Sequence, residues 1–413
     1  MRLNDKYNLE ELGRRIQDAR TSTPEQPAVF NAFAIDSVQS VVESCVDFQP
    51  GIPEPDRHGL VWKAITLAAA YPTINAEVVA DSLRNAEVAY LRQPFKKYVV
   101  ATSISVPYFA RLARRTIRGA TISFSRSHPA GFSRKAIAED LRRLIVIDRP
   151  DEFTTTRVGV RARTPAAAVD QALESLDLLR SLWNFRINLR TLTRRQWGVT
   201  GPKPVNEIRL GPVHTLHTPG GKLVEGAFWY EPRHYQHGEL YALEKDWDSV
   251  IKSENRIRKR LSQIRYASDL ESLLIRYVRA LDSTDFEVAY NKLWSVCERL
   301  VSSVGDYAPM IDRILFVFPN SERIYQKLIL EHLRDVRNGM VHDDRSRQEI
   351  AIYLYQLKFF VETLFRFHFG NGARFRSLST AGKFLDSPAE RAVLKEQAQR
   401  IKLALRYKAP PAA

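Results

Sequence analysis

From about residue 236 onward, apolar side chains recur at three- and four-residue intervals, interrupted by short polar breaks. That rhythm permits little except amphipathic helices packed side by side. The runs are 238–266, 268–281, 284–304, 308–318, 321–342 and 346–369. In the last of these Ile350, Tyr353, Leu354, Leu357, Phe360, Val361, Leu364 and Phe365 form one apolar stripe. The breaks are mostly one to six residues long, which favours antiparallel neighbours in a bundle. The Gly-, Ser- and Thr-rich stretch 371–387 reads as a connection, and a charged helix is expected over 388–407.

The preceding residues have a different texture. Residues 57–70 and 74–93 read as helices. The β-branched, partly alternating stretches 97–106, 116–124 and 154–164 suit strands. Pro165 opens an Ala- and Leu-rich helix to about Asn184, at a position where its missing N–H has no partner to lose. Residues 206–231 read as two strands joined by the turn Thr218-Pro219-Gly220-Gly221. The expected fold is therefore an α+β N-terminal region, residues 1–235, followed by an all-α helical region, residues 236–413, with helix predominating overall.

Of the 413 residues, 62 are Lys or Arg and 47 are Asp or Glu, a formal net charge of +15 that raises the chance of a polyanionic partner. Two distant cysteines, Cys45 and Cys297, exclude a disulfide framework and a cysteine metal site. No run of 18 uncharged apolar residues is present, and the first residues lack a signal-peptide core, so a cytoplasmic protein without a membrane span is expected. Neither Gly-x-Gly-x-x-Gly nor Gly-x4-Gly-Lys-Ser/Thr occurs, and no cofactor is expected.

The stretch that carries chemistry runs from Leu330 to Asp344 and contains Arg334, Arg337, Asn338, Gly339 and His342. Arg337 and His342 are five apart, about 140° around a regular helix, and a tightened turn at Gly339 brings them closer. An arginine offers a rigid fork of donors to a phosphate, and a histidine moves protons near neutral pH. RNA supplies its own nucleophile, the 2′-hydroxyl, so cleavage needs a base, an acid and charge stabilisation but no metal. Nine histidines give about one Arg-x4-His match by chance, and a second does occur at Arg209 and His214. That second match lies in the hairpin region and lacks a helical setting.

The context of the first match resembles the HEPN family. Arg337-Asn338-Gly339-Met340-Val341-His342 fits its Arg-Asn-x3-His pattern, between an apolar-periodic helix and the long aromatic helix 346–369. Residues 286–300, with Leu293-Trp294 and Glu298-x-Leu300, look like the family's early helix. Together these cover about 268–370, and the whole chain looks most like the Apea-like HEPN proteins of bacteria. The resemblance implies a metal-independent endoribonuclease, often a toxin or antiphage effector, acting as a homodimer with the Arg–His pairs meeting across a shared cleft. In that arrangement Arg337 stabilises the phosphate, His342 transfers the proton and Asn338 orients the site. Arg334 and Glu298 are secondary candidates. Where some HEPN toxins carry a modifiable tyrosine, two residues after the histidine, this chain has Asp344.

Within that resemblance, residues 1–235 are expected to sense or regulate, with a phage-derived component as a trigger. The competing expectation is a HEPN domain that dimerises or docks nucleic acid or a partner without cutting. Basic stretches at Arg111–Arg115, Arg186–Arg195 and Asn255–Arg260 are further RNA-contact candidates. His234 and His237, with Glu231 and Glu239, have metal-compatible spacing but no clear further ligand, and no metal is expected.

Overall fold

The computed structural model describes residues 2–3, 8–132, 152–189, 203–230, 240–303, 307–339, 347–388 and 390–408. The chain is predominantly helical, with an α+β N-terminal region. It opens with four helices: α1 (Leu9–Ala19), α2 (Ala32–Cys45), α3 (Glu54–Ala68) and α4 (Ala76–Leu91). Asn8, Asn31 and Asn75 begin α1, α2 and α4, and each side chain accepts an N–H from the first turn. Ile16, Ile35, Val61, Ile65 and Leu83 fill a core of their own between these helices. Gly13 permits the closest approach there, because a Cβ at that position would lie 2.7 Å from the Ile74 carbonyl oxygen. A two-residue strand pairing, β1 (Arg2–Leu3) with β2 (Val46–Asp47), lies beside α2 in sequence.

An antiparallel six-stranded sheet follows. Its strands are β3 (Lys96–Ile104), β4 (Arg115–Ile117), β5 (Ala120–Ser125), β6 (Thr154–Ala162), β7 (Val213–His217) and β8 (Leu223–Tyr230). They lie in the order β4-β5-β6-β3-β7-β8, with Val100 opposite both Val158 and Leu216 at the centre. The helix α5 (Pro165–Asn188) crosses one face, capped by Thr164 Oγ1, which accepts the Ala167 N–H. It buries Ala168, Leu176, Leu179, Leu182 and Trp183.

The remaining helices are α6 (Trp247–Leu261), α7 (Ala267–Leu281), α8 (Phe286–Leu300), α9 (Tyr307–Phe316), α10 (Asn320–Gly339), α11 (Arg347–Asn371), α12 (Leu378–Leu385) and α13 (Arg391–Tyr407). Residues 371–387, expected as a connection, hold α12. Ser377 caps it through the Thr380 N–H, and Ala381 and Leu385 bury at helical spacing. The sheet, α5 and the helices from α6 to α12 share one continuous apolar core, so the change of texture near 236 is not a gap in packing. Among the described residues no helix is long and apolar enough to cross a membrane.

A buried polar network fastens α5 to the bundle. Arg180, fully buried, donates to Asp177 Oδ1 at 2.6 Å, to Asp282 Oδ2 at 2.8 Å and to the Ile208 carbonyl at 3.0 Å. Burial works to lower its pKa, but the Asp282 and Asp177 carboxylates outweigh that and hold it above the ordinary arginine range. Asn206 Nδ2 donates to Asp282, and Asn188 Nδ2 donates to Asn206 Oδ1 and to Tyr277 Oη. Tyr277 donates to Glu362 Oε1 at 2.6 Å, and Lys358 Nζ donates to the same oxygen at 3.0 Å and to the Asn188 carbonyl at 2.7 Å. Burial pushes the Glu362 carboxyl up and the Lys358 ammonium down, with each partner countering the shift of the other.

At the far end of α11, His368 is buried between Tyr266, whose hydroxyl lies 2.9 Å from Nδ1, and the Leu300 carbonyl, 2.8 Å from Nε2. The carbonyl can only accept, so Nε2 carries the proton and Nδ1 accepts from Tyr266. Burial lowers the imidazole pKa to about 4 from its usual 6.5.

Two measurements test this packing. In urea denaturation at neutral pH, Asp282→Ala is expected to cost about 3–5 kcal/mol by stranding buried Arg180, whereas Asp248→Ala, which removes the exposed partner of Arg111, costs less than about 1 kcal/mol. Equal costs would contradict the network. The His368 pKa is depressed in the folded state, so its contribution is complete above pH 6.5 and is lost as pH falls towards 4, by at most about 3 kcal/mol. His368→Gln should flatten that part of the stability–pH curve, and an unchanged slope would show that His368 is not responsible.

Candidate functional site

Leu330, Leu333 and Val336 are completely buried along α10 and fix which side of that helix faces the bundle. Arg337 follows Leu330 and Leu333 by seven and four residues, so it continues their inward ridge and is half-buried where the helix ends. A guanidinium therefore occupies the last position of an apolar row. Asn338 is exposed on the adjoining face, with Arg337 Nη1 3.4 Å from its Oδ1. Gly339 is the last residue of the helix. His342 lies outside the described residues, so the pair proposed from the Arg-x4-His spacing is described on its arginine side.

The turn that carries Arg337 is tied to α8. Tyr290, itself fully buried, donates its hydroxyl to the Leu333 carbonyl oxygen at 2.7 Å. That carbonyl sits one helical turn before Arg337, so Tyr290 sets the height and rotation of the turn. Nothing local in the sequence marks Tyr290 for this role, because its partner is 43 residues away.

The secondary candidates have partners of their own. Arg334 donates through Nε and Nη2 to the neighbouring Asp335 at 3.1 and 3.0 Å. Glu298 is buried and accepts the Trp294 indole N–H at 3.0 Å. It also lies about 12 Å along α8 from the level of Tyr290. Its carboxylate thus secures Trp294 within α8, two turns from the contact with the Arg337-bearing turn. His332, which the spacing argument passed over, lies on α10 with its ring 5.0 Å from that of Tyr353 on α11.

Other residues singled out in the sequence belong to the framework. Arg209 and His214 are both buried in the sheet region, and His214 Nδ1 lies 2.8 Å from Thr102 Oγ1. Arg111 pairs with Asp248, and Arg115 approaches both the Glu254 carboxylate and the face of Trp247. Arg258 donates to Glu254 and to the Thr116 carbonyl. Arg256, Lys259 and Arg260 are exposed. The described part of the Arg186–Arg195 stretch ends at Leu189, and Glu231, His234, His237 and Glu239 lie outside the described residues. Among the described residues no cluster of three or more His, Cys, Asp or Glu side chains is placed to hold a metal ion.

One face of α10 remains exposed. Ile324, Tyr325 and Leu328 are 80%, 66% and 61% accessible, and Ile352 on α11 is also exposed. On a turn whose backbone is tied to α8, the Arg337 guanidinium with the Asn338 amide beside it has the donors to bind one phosphate. The turn presents these groups at the C-terminal end of α10. No family model, curated protein or solved structure matches the chain.

Proposed function

We propose that the protein is an endoribonuclease of HEPN type, cutting RNA at a site built from Arg337, Asn338 and His342. The observation that carries this reading is Arg337 itself. It is a cation at the end of an otherwise apolar ridge, on a turn held by the Tyr290 hydrogen bond, inside the only Arg-Asn-x3-His segment of the chain. In the reaction Arg337 neutralises the scissile phosphate, and Asn338 orients it. His342 takes the proton from the 2′-hydroxyl, whose oxygen attacks the adjacent phosphorus and expels the 5′-oxygen of the next nucleotide. A 2′,3′-cyclic phosphate and a 5′-hydroxyl result, the leaving oxygen taking its proton from a water molecule while His342 returns the 2′-hydroxyl proton to solvent.

RNA is thus the substrate, and the excess of cations (62 against 47 acids) favours its approach. A homodimer is part of the same proposal. The exposed row of Ile324, Tyr325 and Leu328, about 14–20 Å along α10 from Arg337, gives a second copy an apolar face on the same helix. Restraint of growth in an infected bacterial cell, with residues 1–235 receiving a phage-derived trigger, is the biological setting that the HEPN-like motif suggests.

Induced expression in bacteria tests the proposal when the wild type is compared with Arg337→Ala and His342→Ala and total RNA is resolved by electrophoresis. The wild type is expected to arrest growth and fragment RNA. Each variant should lose both effects, at least about a hundredfold in cleavage rate, while retaining its circular dichroism spectrum and melting temperature. Growth arrest and RNA fragmentation by a folded His342→Ala variant equal to those of the wild type would overturn the assignment.

A further inference from the structure

Away from Arg337, a cleft of about 390 Å³ opens where the N-terminal helices meet the end of β6 and the first turns of α5. Its size falls within the range of about 300–1,000 Å³ typical of small-molecule sites. Arg163 stands at its rim, immediately after β6. The guanidinium lies 4.1 Å from the Phe95 ring centroid and 5.7 Å from that of Tyr90. Its Nη2 reaches the Leu91 carbonyl at 3.3 Å, while its buried Nε has no hydrogen-bond partner.

Arg161, two residues earlier and exposed, lines the same cleft. Directly across the strand pair from it stands Lys97, also exposed. Two like charges opposite one another in an antiparallel pair are destabilising unless a counter-charge joins them. Arg118, the third arginine of the cleft, is different, since it is already engaged by Glu174 and Glu271.

The opposite lining is acidic. Asp170 on α5 is half-buried, and no hydrogen bond or ion pair holds it among the described residues. Burial, and then the nearby Glu174, push its carboxyl above the usual range, while Arg279 and Arg118 pull only partly against them. Asp170 stands five residues into α5, about 7.5 Å up the helix from Pro165. The cleft therefore offers cations without acids on one side and a carboxylate without a donor on the other, with no ion pair between them among the described residues.

A ligand satisfying both sides carries an anion and, well separated from it along the cleft, an N–H donor. Inorganic phosphate reaches only the first, and an α-amino acid holds its two charges too close together. We propose that this cleft binds a ribonucleoside monophosphate, with its phosphate on Arg161 and Arg163 and an N–H of its base on Asp170. Guanidinium forks match phosphate oxygens, and a carboxylate accepts the exocyclic or ring N–H of a base. The site is separate from Arg337 and stands whether or not that residue cuts RNA.

Calorimetric titration of the full chain with AMP, GMP, CMP, UMP and inorganic phosphate tests it. At least one nucleotide is expected to bind with a Kd below about 1 mM, and about tenfold or more tightly than phosphate alone. Arg161→Gln and Asp170→Ala should each weaken that nucleotide about tenfold, and Arg337→Ala should leave it unchanged. Arg161 is exposed and makes no ion pair among the described residues, so its replacement keeps the test readable even if changes at Arg163 disturb the fold. The proposal is overturned if none of the four nucleotides binds at millimolar concentration, or if affinity survives both cleft substitutions. It is equally overturned if Arg337→Ala abolishes binding, which would place the nucleotide at the other site.

Discussion

The pairing of Arg180 with Asp177 and Asp282 decides how the two kinds of structure in this chain meet. A fully buried guanidinium loses several kcal/mol of hydration, and only well-placed carboxylates and carbonyls offset that loss. Here Asp177 comes from the same helix, Asp282 from the end of α7, and the Ile208 carbonyl from the chain leading to β7. A slip of one residue along α5 would rotate Arg180 by about 100° into apolar surroundings. The pairing therefore defines register more than it adds stability, and the hydrogen bonds through Asn206, Asn188 and Tyr277 carry that register to Glu362 and Lys358 on α11.

With the register fixed, α5 belongs to both halves at once. Its first turns line the cleft of Arg163 and Asp170, its middle covers the sheet, and its last residue meets α11. The turn bearing Arg337 is held in turn by α8, through Tyr290, and α8 lies packed along α11. The N-terminal cleft and the Arg337 turn are thus connected by contiguous buried contacts across a single core. The four leading helices retain a separate core of their own.

Local patterns in the sequence were enough to locate most elements. The helices near 57–70 and 74–93, the β-branched strands and the run of C-terminal helices follow from period and propensity. The strand order was not legible, because β3 pairs with β6 and β7, fifty or more residues distant, and such pairings leave no local trace. Residues 371–387 misled because small polar residues mask a short helix whose apolar positions are only Leu378, Ala381, Phe384 and Leu385. At the candidate site, the Arg337–Asn338 pair was visible as a motif at a helix end. Tyr290 was not, since its hydroxyl acts through a backbone carbonyl on another helix. Glu298 looked available in the sequence, and the structure gives its carboxylate to Trp294.

The chemistry at Arg337 is tested most directly by the ends of the RNA it leaves. Purified full-length protein, incubated with a 5′-labelled RNA in the presence of a chelator, should yield fragments ending in a 2′,3′-cyclic phosphate. The same RNA with a 2′-deoxy substitution at the cleaved position should remain intact there. Fragments with 3′-hydroxyl ends, or equal cutting of the 2′-deoxy substrate, would show that the 2′-hydroxyl is not the nucleophile and would contradict the account.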